Sequence, residues 1–548
     1  MARHLKKLLC IVLVVFMLVG CTPTSPSNTE SSMDQLEARL KQYAQLGSSP
    51  DDNYRTWYEI FVYSFCDSNG DGIGDLQGVI SKLDYLQELG INGIWLMPIH
   101  PSYSYHKYDV NDYYAIDPQY GTMDDFDALM AECNKRGIKV ILDLVVNHCG
   151  GGNPWFQEAY KYMQSLKNGQ TPSAEDCKYY GYFTFSTERK SGYHRISNTP
   201  YYYEGQFSSS MPDLNWGNEE MRADVKKVME FWLNKGVAGF RVDAAKEFYS
   251  LATQKNVEVL NWLQQTAESI KKDAFMVAEV WEYDYRTLAE YYESGFTSIF
   301  DYQFGNSNGK LCSVVNGRGN PNVVGTWAKA LQTVNKAYSK SNPDYIDAPF
   351  LSNHDVGRIY GFVAGDPLRV KMAGAMNLFM SGSAFIYYGE ELGMPGSGND
   401  PSKRAPMYWN AERNNGTTNP PPQCSLPENG YPLGSFEEQK ADAYSVYNYY
   451  REAIAIRNAL PVISHGATTV EEALDVNCVS AMRKTWNDQQ CIILMNIDDD
   501  EAGAQVDLSA YADWKVVATL SANGKPVEQD GTTLNMPAYG IAVLVPNN

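Results

Sequence analysis

The 548-residue sequence predicts an α/β fold: a (β/α)8 TIM-type barrel, with a small domain inserted after the third strand and an all-β sandwich at the C-terminus. Three observations lead there. Apolar, strand-like runs alternate with longer amphipathic stretches from about Tyr54 to Leu460, the habit of a parallel sheet whose strands are joined by helices. One interval, between His148 and Pro212, is too long and too rich in Gly, Tyr, Ser and Asn to be a simple connection. Beyond Pro461 the pattern changes to short alternating runs, as antiparallel strands require.

Residues 1–20 begin with Arg3, Lys6 and Lys7 and continue into an apolar run from Leu8 to Val19, which predicts a signal peptide. The run is too short to span a bilayer comfortably. Leu18-Val19-Gly20-Cys21 resembles a bacterial lipobox, in which Cys21 would carry lipid as the mature N-terminus. Residues 21–50 then read as a lipidated tether, rich in Thr, Ser and Pro, followed by a short amphipathic helix around Met33 to Leu46. The expected location is extracytoplasmic, lipid-anchored to the bacterial cell membrane, with no other membrane contact.

The first part of the barrel is expected over 51–148, with strands near Tyr58–Tyr63, Gly93–Pro98 and Val140–Val145 and helices over Leu76–Leu89 and Met123–Arg136. The inserted domain occupies 149–212 and has one helical pattern, Trp155–Leu166. The second part, 213–460, supplies strands near Gly239–Asp243, Phe275–Val280, Ser298–Tyr302, Pro349–Ser352 and Ala384–Tyr388. Eight strands fit a closed barrel better than an open sheet. In the sandwich, 461–548, the clearest strands are Cys491–Asn496, Trp514–Leu520 and Ile541–Val545.

Composition narrows the ligand. Acidic residues outnumber basic ones 65 to 45, and no basic run follows the N-terminus, so the footprint of a nucleic-acid binder is missing. A neutral substrate is expected, and the 39 Tyr and 11 Trp offer flat apolar faces to sugar rings. Beyond Cys10 and Cys21 the cysteines are scattered without a Cys-x-x-Cys pair, which argues against zinc and thioredoxin chemistry.

Three predicted strands end in carboxylates: Gly239-Phe-Arg241-Val-Asp243, Val277-Ala-Glu279-Val-Trp281 and Phe350-Leu-Ser-Asn-His354-Asp355. A barrel presents reactive groups at the C-terminal rim of its strands. A retaining glycosidase needs a nucleophilic carboxylate and a proton-donating carboxylic acid about 5 Å apart. Arg241, two residues before Asp243 on the same strand face, is expected to hold that acid ionised; Val277, Ala278, Val280 and Trp281 form an apolar wall expected to keep Glu279 protonated. Asp355 is left as an electrostatic stabiliser.

Two further stretches carry chemistry. Asp67-Ser-Asn69-Gly-Asp71-Gly-Ile73-Gly-Asp75 places oxygen ligands at alternate positions with glycines between, as calcium demands. It is not an EF-hand, because the twelfth position is Gly78. Asp143-Leu-Val-Val-Asn147-His148 ends the third strand and offers His148 to a sugar hydroxyl, while Tyr108, in Tyr105-His-Lys-Tyr108-Asp109, can stack on a ring.

In order along the chain, these motifs resemble the four signature regions of the α-amylase family, glycoside hydrolase family 13. Met211-Pro-Asp-Leu-Asn215 and Gly389-Glu-Glu-Leu-Gly-Met394 resemble two accessory ones. The likeness runs from about Tyr54 to the C-terminus and is closest to bacterial lipoprotein α-amylases of the intermediate group. It implies Asp243 as nucleophile, Glu279 as general acid/base and Asp355 as transition-state stabiliser. It further implies Tyr108, His148, Arg241 and His354 around the cleaved sugar, Lys246 on the leaving-group side, and an Asp400/Arg404 clamp on a more distant glucose. Asp67, Asn69, Asp71, the Ile73 carbonyl and Asp75 match a calcium loop found in many members, so calcium is the expected cofactor.

Departures from the family pattern set the expected substrate. Tyr105 stands where exo-acting glucosidases carry an acid, Ala244 follows the nucleophile as in α-1,4-specific members, and no additional domain precedes Tyr54 as it does in cyclodextrin-opening enzymes. Glu247 replaces a common His and puts the usual calcium between barrel and inserted domain in doubt. The expectation is a monomeric, retaining endo-hydrolase of α-1,4 bonds in starch and maltooligosaccharides. The alternatives are an α-1,6-glucosidase, a neopullulanase or cyclomaltodextrinase, a transglycosylase, or a non-catalytic glucan-binding lipoprotein.

Overall fold

The structure, a computed structural model, describes residues 31–547 except 168, 251, 428 and 429; the predicted signal peptide and Cys21 lie outside the described residues. Eight parallel strands form the central sheet: β1 (Thr56–Ile60), β2 (Gly93–Leu96), β3 (Lys139–Leu144) and, after an insertion with β4 (Phe185–Ser186), β5 (Tyr193–Arg195) and β6 (Tyr202–Glu204), β7 (Gly239–Val242), β8 (Phe275–Ala278), β9 (Ser298–Phe300), β10 (Ile346–Ala348) and β11 (Ala384–Tyr387). Their order is β10-β9-β8-β7-β3-β2-β1-β11, and every pair is parallel. Main-chain bonds from Ser383 N to Asp347 O (2.7 Å) and Phe385 N to Pro349 O (2.8 Å) join the two edges, so the sheet closes into a barrel.

Two expected strands are displaced. The seventh is Ile346–Ala348 rather than Pro349–Ser352: Pro349 has no N–H to give the ladder, and beyond it only Phe350 still pairs, as a single parallel bridge to Phe385. The first ends at Ile60, and Val62–Phe65 coils into a helical turn. The predicted Leu76–Leu89 helix is broken at Lys82 into Leu76–Ser81 and Leu83–Leu89.

Alternation along the strands fills the barrel. On β1, Trp57 belongs to the interior cluster, whereas Tyr58 and Ile60 pack outward with the surrounding helices. Trp57 stacks between Phe275 (5.0 Å) and Phe385 (6.0 Å), and Trp95, Phe300 and Phe350 extend this aromatic plug. Gly93 of β2 makes room for it: a Cβ there would lie 2.4 Å from Trp57 Cε3. The surrounding helices start at side-chain caps, such as Thr122 with Asp125 for Met123–Lys135 and Asn218 for Glu219–Asn234.

The C-terminal strands are β12 (Ala467–Val470), β13 (Val479–Trp486), β14 (Gln489–Asn496), β15 (Ala504–Asp507), β16 (Trp514–Ser521), β17 (Glu528–Asp530), β18 (Thr533–Met536) and β19 (Gly540–Pro546). They form a five-stranded sheet, β12-β13-β14-β19-β16, and a three-stranded one, β15-β18-β17. Ile492, Leu494, Ala542 and Leu544 share a core with Val506, Leu534 and Met536 of the smaller sheet. Their alternating neighbours Cys491, Ile493, Met495 and Val543 belong instead to the main core. Burial on both faces therefore fixes this sheet against the barrel. The helix Ser32–Ala44 docks at the same junction through Arg39–Glu452 (2.6 Å), Arg451–Glu37 (2.7 Å) and a bond from Tyr43 to the Thr519 carbonyl (2.7 Å).

Gly93→Ala is expected to destabilise the protein by about 1–3 kcal/mol, since a rigid ring and not a flexible chain end occupies the space. Chemical denaturation compared with the parent measures this, and an unchanged midpoint would contradict the packing described.

Candidate active site

All the predicted cleft residues gather at the C-terminal ends of the strands. Arg241 on β7 points into the barrel beside Asp143, its register partner on β3, and lies over the Trp95 ring at 5.1 Å. Its side chain is 1% exposed. The guanidinium spans three acids: Nη1 donates to Asp143 Oδ1 (2.7 Å) and Asp243 Oδ1 (2.6 Å), and Nη2 lies 3.0 Å from Glu279 Oε2. Asp243 and Glu279 follow directly on adjacent strands β7 and β8, so one fork sets the position of both.

Ala244 completes this arrangement. Its φ of 45° is left-handed, a conformation costing a non-glycine residue about 1–3 kcal/mol and typical of functional turns. That turn aims the Ala244 N–H at Glu279 Oε2 (2.9 Å), while Tyr302 donates to Oε1 (3.1 Å). Glu279 therefore sits among three donors, and Trp281 stacks on the Tyr302 ring (5.0 Å).

Burial pushes the Asp243 carboxyl up to about 8, against the pull of Arg241 and helped by the nearby charges of Glu279 and Asp143. The expectation that Arg241 would hold Asp243 ionised is corrected accordingly: its pull is present but burial outweighs it. Asp143, buried beside the same guanidinium, is likewise raised by burial against the pull of Arg241.

The third acid has a different environment. Asp355 receives Arg404 Nη2 at Oδ1 (2.9 Å) and lies 3.0 Å from His354 Nε2 through Oδ2; burial raises its carboxyl, but these two cations outweigh it and hold it far below the ordinary range. Tyr108 donates to Asp143 Oδ2 (2.9 Å) and its hydroxyl lies 2.7 Å from His354 Nε2, with the two rings stacked at 5.3 Å. Burial depresses His148 to about 4, so this imidazole is neutral; its Nε2 lies 3.2 Å from the Tyr108 carbonyl.

A cavity of about 770 Å³ opens over these groups. Barrel residues Tyr108, Asp243, Glu279 and Asp355 form its floor, and Phe207, Ser208, Ser210 and Met211 of the insertion form one wall. Lys246, Trp281, Asp400 and Arg404 also line it. Asp400 pairs with Lys403 (2.9 Å) and Arg404 with Asp355 (2.9 Å). Lys246 is held by Glu282 (3.0 Å) and the Trp281 carbonyl (3.1 Å).

With this geometry in view, the sequence matches the family described as "Alpha amylase, catalytic domain" over residues 59–466. The chain belongs to the alpha-amylase family. Among relatives, "Alpha-amylase 3" of Dictyoglomus thermophilum is 38% identical, over 81% of this chain and 84% of its own. The "Oligo-1,6-glucosidase" of Parageobacillus thermoglucosidasius is 29% identical, over 81% of this chain and 89% of its own. The solved structure "Eubacterium rectale Amy13B" is 42% identical, covers 93% of this chain and 99% of its own, and superposes with a TM-score of 0.88. This chain is thus a glycoside hydrolase of the alpha-amylase family, with that family's barrel and C-terminal antiparallel sheets.

Several residues of this alpha-amylase-family site escaped sequence reasoning. Tyr302 lies on no motif, and Phe207 sits in the insertion, where no period marks it. Glu59 had a visible signal, a lone acid in the apolar run Thr56-Trp-Tyr-Glu-Ile60, and its Oε1 lies 2.6 Å from His354 Nδ1.

The Asp67–Asp75 loop lies away from the cleft residues and is folded by its own side chains. Asp67 Oδ1 accepts from Asn69 N (3.1 Å) and Gly70 N (2.7 Å), Asn69 Oδ1 from Asp71 N (2.9 Å), and Asp71 Oδ1 from Ile73 N (2.8 Å), with Gly70 and Gly72 at positive φ. Asp75 caps the Leu76–Ser81 helix. Among the described residues no three His, Cys, Asp or Glu side chains converge on a metal position, so the carboxylates alone make no cage and Asn69 and the Ile73 carbonyl would have to complete one. The donors are all oxygens, which suits a hard cation.

Arg241→Ala is expected to cost about 3–5 kcal/mol, because it strands buried carboxylates without their cation. Thermal and chemical unfolding test this; parental stability in the variant would show that the cluster does not depend on Arg241.

Proposed function

We propose that this protein cleaves internal α-1,4-glucosidic bonds of starch and maltooligosaccharides with retention of configuration. The observation that carries the reading is the single guanidinium gripping Asp243 and Glu279 side by side in an open cleft. Asp243 attacks the anomeric carbon, Glu279 protonates the leaving oxygen and then activates water, and Asp355, kept ionised by Arg404 and His354, steadies the positive charge of the oxocarbenium-like transition state. Tyr108 stacks under the reacting ring, His148 and His354 bind its hydroxyls, Lys246 faces the leaving side, and Asp400 and Arg404 bind more distant sugar.

The endo mode is supported by the residue type at Tyr105, beside the cleft residue Arg404. Its hydroxyl accepts from Arg404 Nη1 (3.2 Å) and its ring packs edge-on against Phe61 and Tyr63, so this position supplies no charged end-stop. Asp243→Ala is expected to lose nearly all turnover of soluble starch. Chromatography of products from amylose, pullulan and cyclodextrin separates the readings: mixed maltooligosaccharides from amylose support the endo reading, and preferred attack on pullulan or cyclodextrin overturns it.

Calcium is part of the proposal as a structural ion. Asp67, Asn69, Asp71, the Ile73 carbonyl and Asp75 would hold it, and it would tie the loop after β1 to the barrel without touching the substrate. Chelation is expected to lower the melting temperature and added calcium to restore it, read by scanning calorimetry; indifference to both would remove calcium from the assignment. The protein is further proposed to act as a monomer outside the cytoplasm, tethered by lipid on Cys21. No described helix is long and apolar enough to cross a membrane.

A further inference from the structure

The residues that touch sugar in the proposed mechanism lie on loops, but one carboxylate beneath them lies on a strand and is absent from that mechanism. Glu59 is the next inward position after Trp57 on β1, where alternation turns it toward the barrel axis above the aromatic plug, beside its register partners Trp95 and Tyr387. It is 2% exposed. Its Oε1 lies 2.6 Å from Nδ1 of His354, which is itself fully buried.

The other ring nitrogen settles what this contact does. His354 Nε2 faces Asp355 Oδ2 at 3.0 Å and the Tyr108 hydroxyl at 2.7 Å, and Tyr108 already donates its proton to Asp143 Oδ2. Nε2 therefore meets one carboxylate and one oxygen whose proton is committed, so it must carry a proton to avoid facing two lone pairs. Nδ1 faces a second carboxylate and needs a proton for the same reason. Both nitrogens protonated is the imidazolium. The remaining neighbours are the Trp95 ring edge at 5.7 Å, Arg241 beyond Tyr108, and Arg404, whose Nε donates to the His354 carbonyl (3.1 Å). Neither guanidinium reaches an imidazole nitrogen by hydrogen bond. The charge balance of the ring is set by Glu59 and Asp355.

We propose that Glu59 is a positioning residue: its buried carboxylate keeps His354 doubly protonated, and His354 in turn holds Asp355 ionised and in register with the reacting sugar. This rests on the role given to Asp355 above. The electrostatics agree, for the two carboxylates outweigh burial and raise His354 to about 9, while burial raises Glu59 and His354 pulls it back. The imidazolium persists below that range and is lost as pH rises through it. Activity that needs the imidazolium has its alkaline limit there.

Glu59→Gln keeps an acceptor oxygen of the same reach but removes the charge. Expected are a folded protein, a kcat on soluble starch near pH 6 within about threefold of the parent, and an alkaline limb of kcat moved down by about one pH unit or more. The ¹⁵N shifts of His354, assigned by their loss in His354→Asn, should titrate lower by the same amount. An unmoved limb together with an unmoved His354 titration overturns the proposal. The ring titration is read without substrate, so an inactive parent would fail the assigned reaction and leave this test intact. If Glu59→Gln does not fold, Glu59→Asp replaces it: keeping the charge, it must keep the parental titration, and a downward move there overturns the proposal equally.

Discussion

A single buried cation organises the top of this barrel. Arg241 reaches up the barrel axis from β7 and is bonded to acids from three strands or strand ends, Asp143, Asp243 and Glu279. A guanidinium there is expensive to desolvate and can be accommodated only because its planar fork finds carboxylates at both ends. The reverse also holds. Three carboxylates could not be packed this closely without it, so catalytic geometry and local stability depend on the same atoms.

Beneath that charged layer lies an aromatic one. Trp57, Phe275 and Phe385 fill the barrel, and Gly93 is small because a ring needs its space. The plug gives the polar layer a close-packed apolar floor on which small displacements of Arg241 or Glu59 are opposed by packing. The strained Ala244 turn is affordable on such a floor, and it directs a main-chain N–H to Glu279 that no side chain supplies. Function is thus built on the rim while its precision comes from the layers below.

Two pieces outside the barrel matter for different reasons. The insertion between β3 and β7 lends Phe207, Ser208, Ser210 and Met211 to the cleft and so turns a rim into a groove. The C-terminal sheet, buried on both faces, and the helix Ser32–Ala44 brace the side of the barrel carrying the helix Val446–Ala459. That helix lies beside Glu390 through Tyr450, so the brace continues to the turn after β11.

The sequence by itself determined the barrel, its insertion and its C-terminal sheets, because periodicity reports which faces are buried and because strands and helices have different periods. It also marked Asp243, Glu279 and Asp355, since an acid ending an apolar strand next to Arg or His is rarely accidental. Strand ends were less legible: the seventh strand is displaced because apolarity continues through Phe350 and Leu351, where, after Pro349, the pairing thins to a single bridge. What only the tertiary structure decided is who pairs with whom. Arg404 belongs to Asp355, Glu59 belongs to His354 from 295 residues away, and burial with neighbouring carboxylates, more than Arg241, sets the state of Asp243. The reason is physical: pairing energies and protonation depend on distance and desolvation, which a linear sequence does not encode until the barrel closes and brings remote strands to one axis.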